Sequence, residues 1–267
     1  LSRKKAENPA LVKRFKAEAE AAAQLKHDHI TAVYDAGEID GFLYIALEYV
    51  AGTDLQKLVN RNGRLPVERS VQIIKQVTLA LQHAFERGIV HRDIKPSNLL
   101  IDRSGNVKLT DMGLARSVDE AAEAGITRVG TTVGTVDYMA PEQAQDSRAA
   151  DIRSDIYSLG CTLYVLLTGQ MPFDGATALE VITKHRTEPV VRPETIDAGI
   201  PGPVSDIVVR MIAKRPDDRF ANLDEVIVAL EGCLGAAAQP IREEHVTLLE
   251  NCMARYNGSD ATKTRGL

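Results

Sequence analysis

The sequence predicts an α+β protein in which a small part, made of one helix and a few strands, precedes a larger and mainly helical part. Two apolar runs flank Asp40-Gly41, and this arrangement is typical of a β-hairpin. Apolar residues recur at helical spacing within residues 1–26 and 66–85. Two short apolar runs, at 88–90 and 99–101, lie on either side of a polar loop that contains a proline, which predicts two strands and a turn.

The composition is that of an ordinary soluble globular protein. The chain has 267 residues, of which 44% are hydrophobic and 26% charged, enough for one large domain or two lobes. A net charge of −5 argues against a general affinity for nucleic acid or anionic membranes. The three cysteines show neither metal-ligand spacing nor a disulfide pattern, and the sequence has no signal peptide and no apolar run near the ~20 residues of a membrane helix. We therefore expect a cytoplasmic protein, with a membrane anchor beyond these residues as the alternative.

The first predicted helix spans residues 1–26, and Asn8-Pro9 is a suitable entry because proline fits the first helical turn. The segment His27-Asp28-His29 follows it. Two histidines around an acid could bind zinc, but no third ligand cluster accompanies them. The alternative is a structural turn that ties the helix to the next strand.

The predicted strands of the hairpin are residues 31–36 and 42–50, and the second is so continuously apolar that we expect it to be well buried. After it comes Ala51-Gly52-Thr53, where the glycine is expected to relax the backbone. Pro66 begins a long helix that Gly88 ends. Further helices are predicted near 176–187, 203–213, 222–232 and 241–256.

The polar loop and two later segments carry the chemistry. The loop reads His91-Arg92-Asp93-Ile94-Lys95-Pro96-Ser97-Asn98, and Asp111-Met112-Gly113 and Ala140-Pro141-Glu142 come after it. In this order the segments resemble the catalytic loop, the magnesium loop and the end of the activation segment of the protein-kinase superfamily. The resemblance covers roughly residues 1–232 and is strongest to the bacterial receptor-type serine/threonine kinases.

This resemblance implies a two-lobe kinase fold that transfers the γ-phosphate of ATP to serine or threonine hydroxyls of protein substrates. Asp93 would orient the substrate hydroxyl, and Lys95, which is typical of the serine/threonine class, would contact the γ-phosphate. Asn98 and Asp111 would bind Mg²⁺, with Mn²⁺ as an alternative, because their oxygens suit a hard cation.

The resemblance also assigns residues that would bind ATP. Glu18 matches the helix glutamate that pairs with a strand lysine, although the helical pattern alone would equally allow a solvated side chain. The segment at residues 47–50 looks like the hinge between the lobes. Backbone groups of Glu48 and Val50 would then bind adenine.

Other residues would support the site: His91, Arg92, Thr135, Glu142, Asp155 and Arg219. Asp155 is expected to accept backbone N–H groups of the catalytic loop, and Arg219 to pair with Glu142. Thr135 would hydrogen-bond to Asp93 and Lys95. The candidate phosphorylation sites are Thr127, Thr131 and Thr132, with Arg92 as the partner of the phosphate and a homodimer as the arrangement for autophosphorylation.

The sequence departs from the family in two places. Met112 stands where phenylalanine is usual, and methionine can keep the packing role. No G-x-G-x-x-G occurs before residue 50, and neither Lys4 nor Lys5 lies in an apolar strand. We therefore expect residues 1–50 to be a remnant of the small lobe, 51–232 the large lobe and 233–267 a linker, helix and tail.

A chain of this kind would bind ATP weakly and transfer phosphate poorly by itself, because the groups that cover the phosphates are missing. Two function classes stay open: a fragment of an active kinase, or a pseudokinase that serves as a protein-binding scaffold. The intact set of four catalytic residues favours the enzyme.

Overall fold

The computed structural model describes residues 9–112, 136–146 and 150–235. Its elements confirm an α+β chain with two small sheets and a mainly helical remainder. In chain order they are α1 (Pro9–Ala23), β1 (Val33–Ile39), β2 (Phe42–Leu47), β3 (Gly52–Asp54), α2 (Leu55–Asn62), α3 (Val67–Phe85), β4 (Leu99–Asp102), β5 (Val107–Leu109), α4 (Pro141–Gln145), α5 (Ile152–Thr168), α6 (Ala178–Thr187), α7 (Pro193–Ile196), α8 (Gly202–Met211) and α9 (Leu223–Gly235).

The first sheet is the antiparallel hairpin β1–β2, whose predicted turn is confirmed. The expected deep burial of the second strand is wrong, because Leu43 is the only buried residue of β2 and Phe42 is 50% exposed. Asp40 and Gly41 have φ of 51° and 77°, the positive values that a two-residue turn of this kind requires. The predicted first strand began two residues too early, because Ile30 instead bridges Leu109 in parallel and the Thr31 N–H donates to the Leu109 carbonyl at 2.9 Å. The turn before β1 is thereby attached to β5.

The histidines of this turn have structural contacts. Nδ1 of His29 lies 3.0 Å from the carbonyl oxygen of Val107 on β5. The ring of His27 lies 5.5 Å from that of His29 and 5.0 Å from that of His83 on α3, centroid to centroid. The turn thus has structural contacts, but its histidines tie α1 to β5 and α3 rather than to the next strand.

The second sheet has the order β3–β4–β5, with antiparallel pairing throughout. The sequence did not predict β3, and it assigned the wrong role to Gly52. A Cβ at position 52 would overlap the carbonyl oxygen of Ile101, so the glycine is needed for close approach of β3 to β4 rather than for a relaxed backbone.

Helices form the rest of the described chain around one core. Every residue of α5 except Arg153 is buried, which makes this helix the centre of the larger part. The α3 helix begins directly after Pro66, as predicted, and the chain turns at Gly88 with φ of 75°. The buried apolar face of α1 includes Phe15, Ala19 and Ala22.

The short helices α4 and α7 were not predicted, and the predicted strand at 88–90 is wrong, because these residues form a turn and irregular backbone. The predicted helix at 241–256 lies outside the described residues. None of the helices in the described parts of the chain combines the length and apolar character that a bilayer-crossing segment requires.

Candidate active site

The polar loop between Val90 and Leu99 brings three predicted catalytic residues together. The Lys95 ammonium lies 2.8 Å from Asp93 Oδ2. The Asn98 Nδ2 group donates to the same carboxylate oxygen at 3.1 Å and to the Asp93 carbonyl at 2.9 Å. A single 3₁₀ turn, Pro96–Asn98, fixes the spacing between Lys95 and Asn98, because the proline ring restricts the backbone angle φ of the first residue of the turn. The loop therefore presents a carboxylate, an ammonium and an amide at one place.

A buried carboxylate on α5 holds the start of this loop. Asp155, whose side chain is inaccessible to solvent, accepts the backbone N–H of His91 at 2.8 Å and that of Arg92 at 2.7 Å. Burial raises the pKa of Asp155 above its ordinary value, and the hydrogen bonds to the loop offset this only in part. Gln143 adds a bond from its Nε2 to the Arg92 carbonyl at 2.8 Å.

Two residues of the site have left-handed backbone conformations. Arg92 has φ of 66° and Asp111 has φ of 60°. A non-glycine residue in this region costs about 1–3 kcal/mol, and such strain persists only where surrounding contacts impose it. At Arg92 those contacts are the bonds to Asp155 and Gln143, which hold the N–H and the carbonyl of the strained residue.

The end of β5 is attached to the same loop. Nε2 of the buried His91 lies 3.0 Å from the Thr110 carbonyl oxygen. The Thr110 N–H in turn donates to the Asn98 carbonyl at 3.0 Å. Because Asp111 is the next residue, these bonds hold the backbone directly before Asp111 against Asn98.

The residues at this position fit a divalent cation. The Asn98 amide nitrogen is used by Asp93, so the amide oxygen is the atom left for a metal. The Asp111 side chain is exposed and accepts no hydrogen bond within the described residues. A carboxylate and an amide oxygen, with water completing the shell, are the ligands that magnesium prefers.

The predicted adenine-binding segment follows β2 directly. The Glu48 N–H donates to the Ala32 carbonyl at 2.8 Å, and its carboxylate accepts the Ala32 N–H at 3.1 Å and the Lys108 ammonium at 2.9 Å. Burial raises the pKa of Glu48, but the bonds to Lys108 and Ala32 outweigh burial and leave it below its ordinary value. Among the described residues, no hydrogen bond uses the Glu48 carbonyl or the Val50 N–H.

A second carboxylate, Glu142 on α4, pairs with Arg219. Their two nitrogen–oxygen distances are both 2.8 Å, and Ser154 donates its hydroxyl to the same carboxylate at 2.6 Å. Burial raises the pKa of Glu142, but the bonds to Arg219 and Ser154 leave it below its ordinary value. This pair links α4 to the 3₁₀ turn Pro216–Asp218, which Arg219 directly follows.

The remaining predicted site residues lie elsewhere. Glu18 is on α1 and half-buried, and Met112 is buried in the core beside the site. The other four, Thr127, Thr131, Thr132 and Thr135, lie outside the described residues.

Sequence reasoning missed four residues with direct contacts to the site: Lys108, Thr110, Gln143 and Ser154. Thr110 contributes only its backbone, which no side-chain pattern could reveal. The other three contribute common polar side chains, and in the sequence nothing separates these from polar residues at the surface.

The chain is similar to known proteins over most of its length. Residues 1–229 match the family described as protein kinase domain. The chain is 36% identical over 240 residues to the serine/threonine-protein kinase PrkC of Bacillus subtilis, a match that covers 90% of this chain and 36% of that protein. It is 38% identical over 225 residues to the serine/threonine-protein kinase PknB of Mycobacterium leprae, which covers 83% of this chain and 36% of that protein.

Two solved structures are similar in fold. The kinase domain of PknI from Mycobacterium tuberculosis has a TM-score of 0.66 at 29% identity, over 87% of this chain and 83% of that chain. Rad53 1–466 in complex with AMP-PNP has a TM-score of 0.67 at 27% identity, over 80% of this chain and 53% of that chain. The chain spans about a third of the length of the curated relatives named above.

Proposed function

The chain belongs to the protein kinase domain family, and on that premise we propose that it transfers the γ-phosphate of ATP to serine and threonine hydroxyls of proteins. The observation that carries the proposal is the catalytic loop, in which Lys95 and Asn98 both contact the Asp93 carboxylate. A pseudokinase scaffold would not need a carboxylate, an ammonium and an amide held in mutual contact, so this geometry favours the enzyme.

In this proposal each residue has one task. The Asp93 carboxylate accepts the hydrogen bond of the substrate hydroxyl and points the oxygen at the γ-phosphate. Lys95 supplies positive charge to the phosphate as negative charge develops on its oxygens. Asn98 and Asp111 hold a divalent cation, which neutralises charge on the phosphates when it is bound.

The nucleotide base lies at the opposite end of the site. The Glu48 carbonyl and the Val50 N–H would bind the amino group and a ring nitrogen of adenine, and Glu18 would help to position the phosphates through a lysine partner. We propose Mg²⁺ as the metal, with Mn²⁺ as a substitute of the same ligand chemistry. We further propose a cytoplasmic catalytic domain that forms a homodimer for autophosphorylation.

The test is transfer of labelled phosphate from Mg-ATP to a generic basic protein. It is measured for the chain alone and for the chain together with any sequence that its gene encodes upstream of Leu1. The Asp93→Asn variant should lose about 10²–10⁴-fold in rate with its fold unchanged, because the base and the orientation of the hydroxyl are lost. Asp102→Asn is the matched control, since Asp102 is the last residue of β4 and, within the described residues, its carboxylate accepts hydrogen bonds only from Asn106. Equal rates for Asp93→Asn and the unaltered protein would refute the assignment.

A further inference from the structure

We propose that the ion pair between Glu48 and Lys108 is a positioning device for nucleotide recognition. It would fix the Glu48 carbonyl as the acceptor for the amino group of adenine, and so set the preference for ATP. This inference rests on the proposed function, because it concerns the segment that would bind the base.

Three hydrogen bonds hold Glu48, and none of them uses its carbonyl oxygen. The N–H donates to Ala32, and the carboxylate accepts both the Ala32 N–H and the Lys108 ammonium. Ala32 lies in the segment before β1, whereas Lys108 lies on β5. The peptide that would face adenine is therefore fixed from two separate elements.

The pair is shielded enough to hold a defined geometry. The Glu48 and Lys108 side chains are 25% and 21% exposed, and their charged atoms lie 2.9 Å apart. Partly buried pairs are screened by salt much less than exposed pairs. The lowered pKa of Glu48 keeps the carboxylate ionised, so the pair persists at neutral pH.

Lys108 also connects the two ends of the proposed nucleotide site. It lies in β5 (Val107–Leu109), three positions before Asp111, the proposed metal ligand. One short strand therefore reaches the base through the Glu48 pair and the phosphates through Asp111. A displacement of Lys108 should alter the contact to the base without removing any group that contacts the phosphates.

This predicts a chemical signature that a purely structural ion pair would not give. Purine riboside triphosphate has the rings, ribose and phosphates of ATP but lacks the amino group of adenine. A misplaced Glu48 carbonyl would lower the affinity for ATP and leave the affinity for this analogue unchanged. A general loss of structure would weaken both nucleotides together.

The experiment is calorimetric titration with Mg-ATP and with Mg-purine riboside triphosphate. It uses the chain alone and the chain extended upstream of Leu1, with circular dichroism to verify the fold. We expect Lys108→Met to weaken ATP about tenfold, which corresponds to ~1.4 kcal/mol, and to change the affinity for the analogue less than about twofold. Lys108→Arg should retain the preference for ATP, because it keeps the positive charge near Glu48.

Two further variants sharpen the test. Glu48→Gln should behave like Lys108→Met, and the double variant should be no worse than either single one, because both remove the same interaction. Lys75→Met is the matched control: Lys75 forms a similar ion pair with Glu231 at 2.7 Å, between α3 and α9 and away from this segment. It should leave both affinities unchanged.

Equal affinities of Lys108→Met and the unaltered protein for ATP, or equal losses for both nucleotides, would overturn the positioning role. Additive effects of the two single variants would do the same. Failure of the unaltered extended protein to bind ATP at all would instead overturn the proposed function. Should Lys108→Met fail to fold, Glu48→Gln removes the same ion pair and provides the same comparison, with Lys108→Arg as the variant that keeps the charge.

Discussion

Arg219 binds Glu142 through two parallel hydrogen bonds of 2.8 Å, with its guanidinium fully buried. The same guanidinium also donates to the backbone carbonyls of Ala213, Arg153 and Lys214. The arginine therefore joins α4, α5 and the segment before α9 in one network. Because its charge is buried, the rest of the network must compensate it.

We expect Arg219→Met to lower the free energy of unfolding by about 3–5 kcal/mol, because it leaves the largely buried Glu142 carboxylate without its charged partner. Urea unfolding followed by circular dichroism measures this. The control is Arg210→Met, since Arg210 pairs with Glu225 at 3.1 Å while half exposed. Its loss should cost about 1 kcal/mol or less. Similar small losses for both variants would contradict the structural role of Arg219.

Asp155→Asn tests the anchor of the catalytic loop. An amide has one acceptor oxygen, so one of the N–H groups of His91 and Arg92 would face an NH₂ group instead of a carboxylate. We expect a loss of about 1–3 kcal/mol in stability, from one unsatisfied buried donor. We also expect a fall of up to about 10²-fold in the rate of phosphate transfer, from displacement of Asp93.

The matched control for that variant is Asp151→Asn on the same helix. Asp151 caps α5 through its bond to the Arg153 N–H at 2.8 Å, and asparagine is an equally good cap. Its stability should fall by about 1 kcal/mol or less, because only the partly exposed ion pair with Arg153 is lost, and its rate should match that of the unaltered protein. A transfer rate for Asp155→Asn that equals that of this control would show that the loop keeps its shape without the carboxylate.

The buried His185 predicts a pH dependence of stability. Burial, and then the charge of Lys214, lower the pKa of this imidazole from 6.5 to about 4. The folded state therefore holds the neutral ring, while the unfolded chain takes up a proton below pH 6.5. The contribution of His185 to the free energy of unfolding is therefore fully present above pH 6.5 and is lost as the pH falls towards 4.

Urea unfolding at several pH values between 4 and 7.5 measures this effect. His185→Phe should flatten the pH dependence in that range, because phenylalanine takes up no proton. It should also lower stability at neutral pH by about 1–3 kcal/mol, since the Tyr157 hydroxyl loses Nδ1 of His185 at 2.8 Å. An unchanged pH dependence in the variant would mean that other groups cause it.

Arg92 predicts the location of regulatory phosphates. Its Nε is buried and has no hydrogen-bond partner among the described residues. We expect autophosphorylation among Thr127, Thr131 and Thr132, chiefly at Thr127, because a phosphate there adds about −1.5 to −2 charge that an arginine can bind. Phosphopeptide mapping of the active protein tests this, and sites found only outside residues 117–135 would contradict it.

A variant pair tests the role of the arginine itself. Arg92→Met should lower the activity that phosphorylation adds, whereas Arg103→Met, in the exposed turn after β4, should not. Equal stimulation of both variants by phosphorylation would assign the phosphate another partner.

Much of the fold was predictable because local signals decide it. Asp40-Gly41 specifies its turn through backbone conformations that few other residues adopt, and Pro66 marks the start of α3 in the same way. The residues of the catalytic loop were predictable because their order and spacing resemble those of the protein-kinase superfamily.

The rest depends on contacts between distant residues. Lys108 and Glu48 are 60 residues apart, and nothing in either local sequence indicates the pair. The strand β3 has only three residues and includes a glycine, so its formation depends on β4 rather than on its own sequence. The left-handed conformation of Arg92 is likewise imposed by Asp155 and Gln143.

Because Gly52 lies so close to Ile101, a substitution at position 52 can change the distance between two parts of the site while its reactive groups stay the same. Any side chain at position 52 must push β3 away from β4, and β3 begins two residues after Val50. Gly52→Ala would therefore shift the base-binding backbone relative to Asn98, which immediately precedes β4, without altering a single reactive group. Alanine, serine and valine at position 52 would increase the distance between β3 and β4 in steps. The affinities of these variants for adenosine and for triphosphate would show how the distance between the base-binding and phosphate-binding parts of the site affects nucleotide binding.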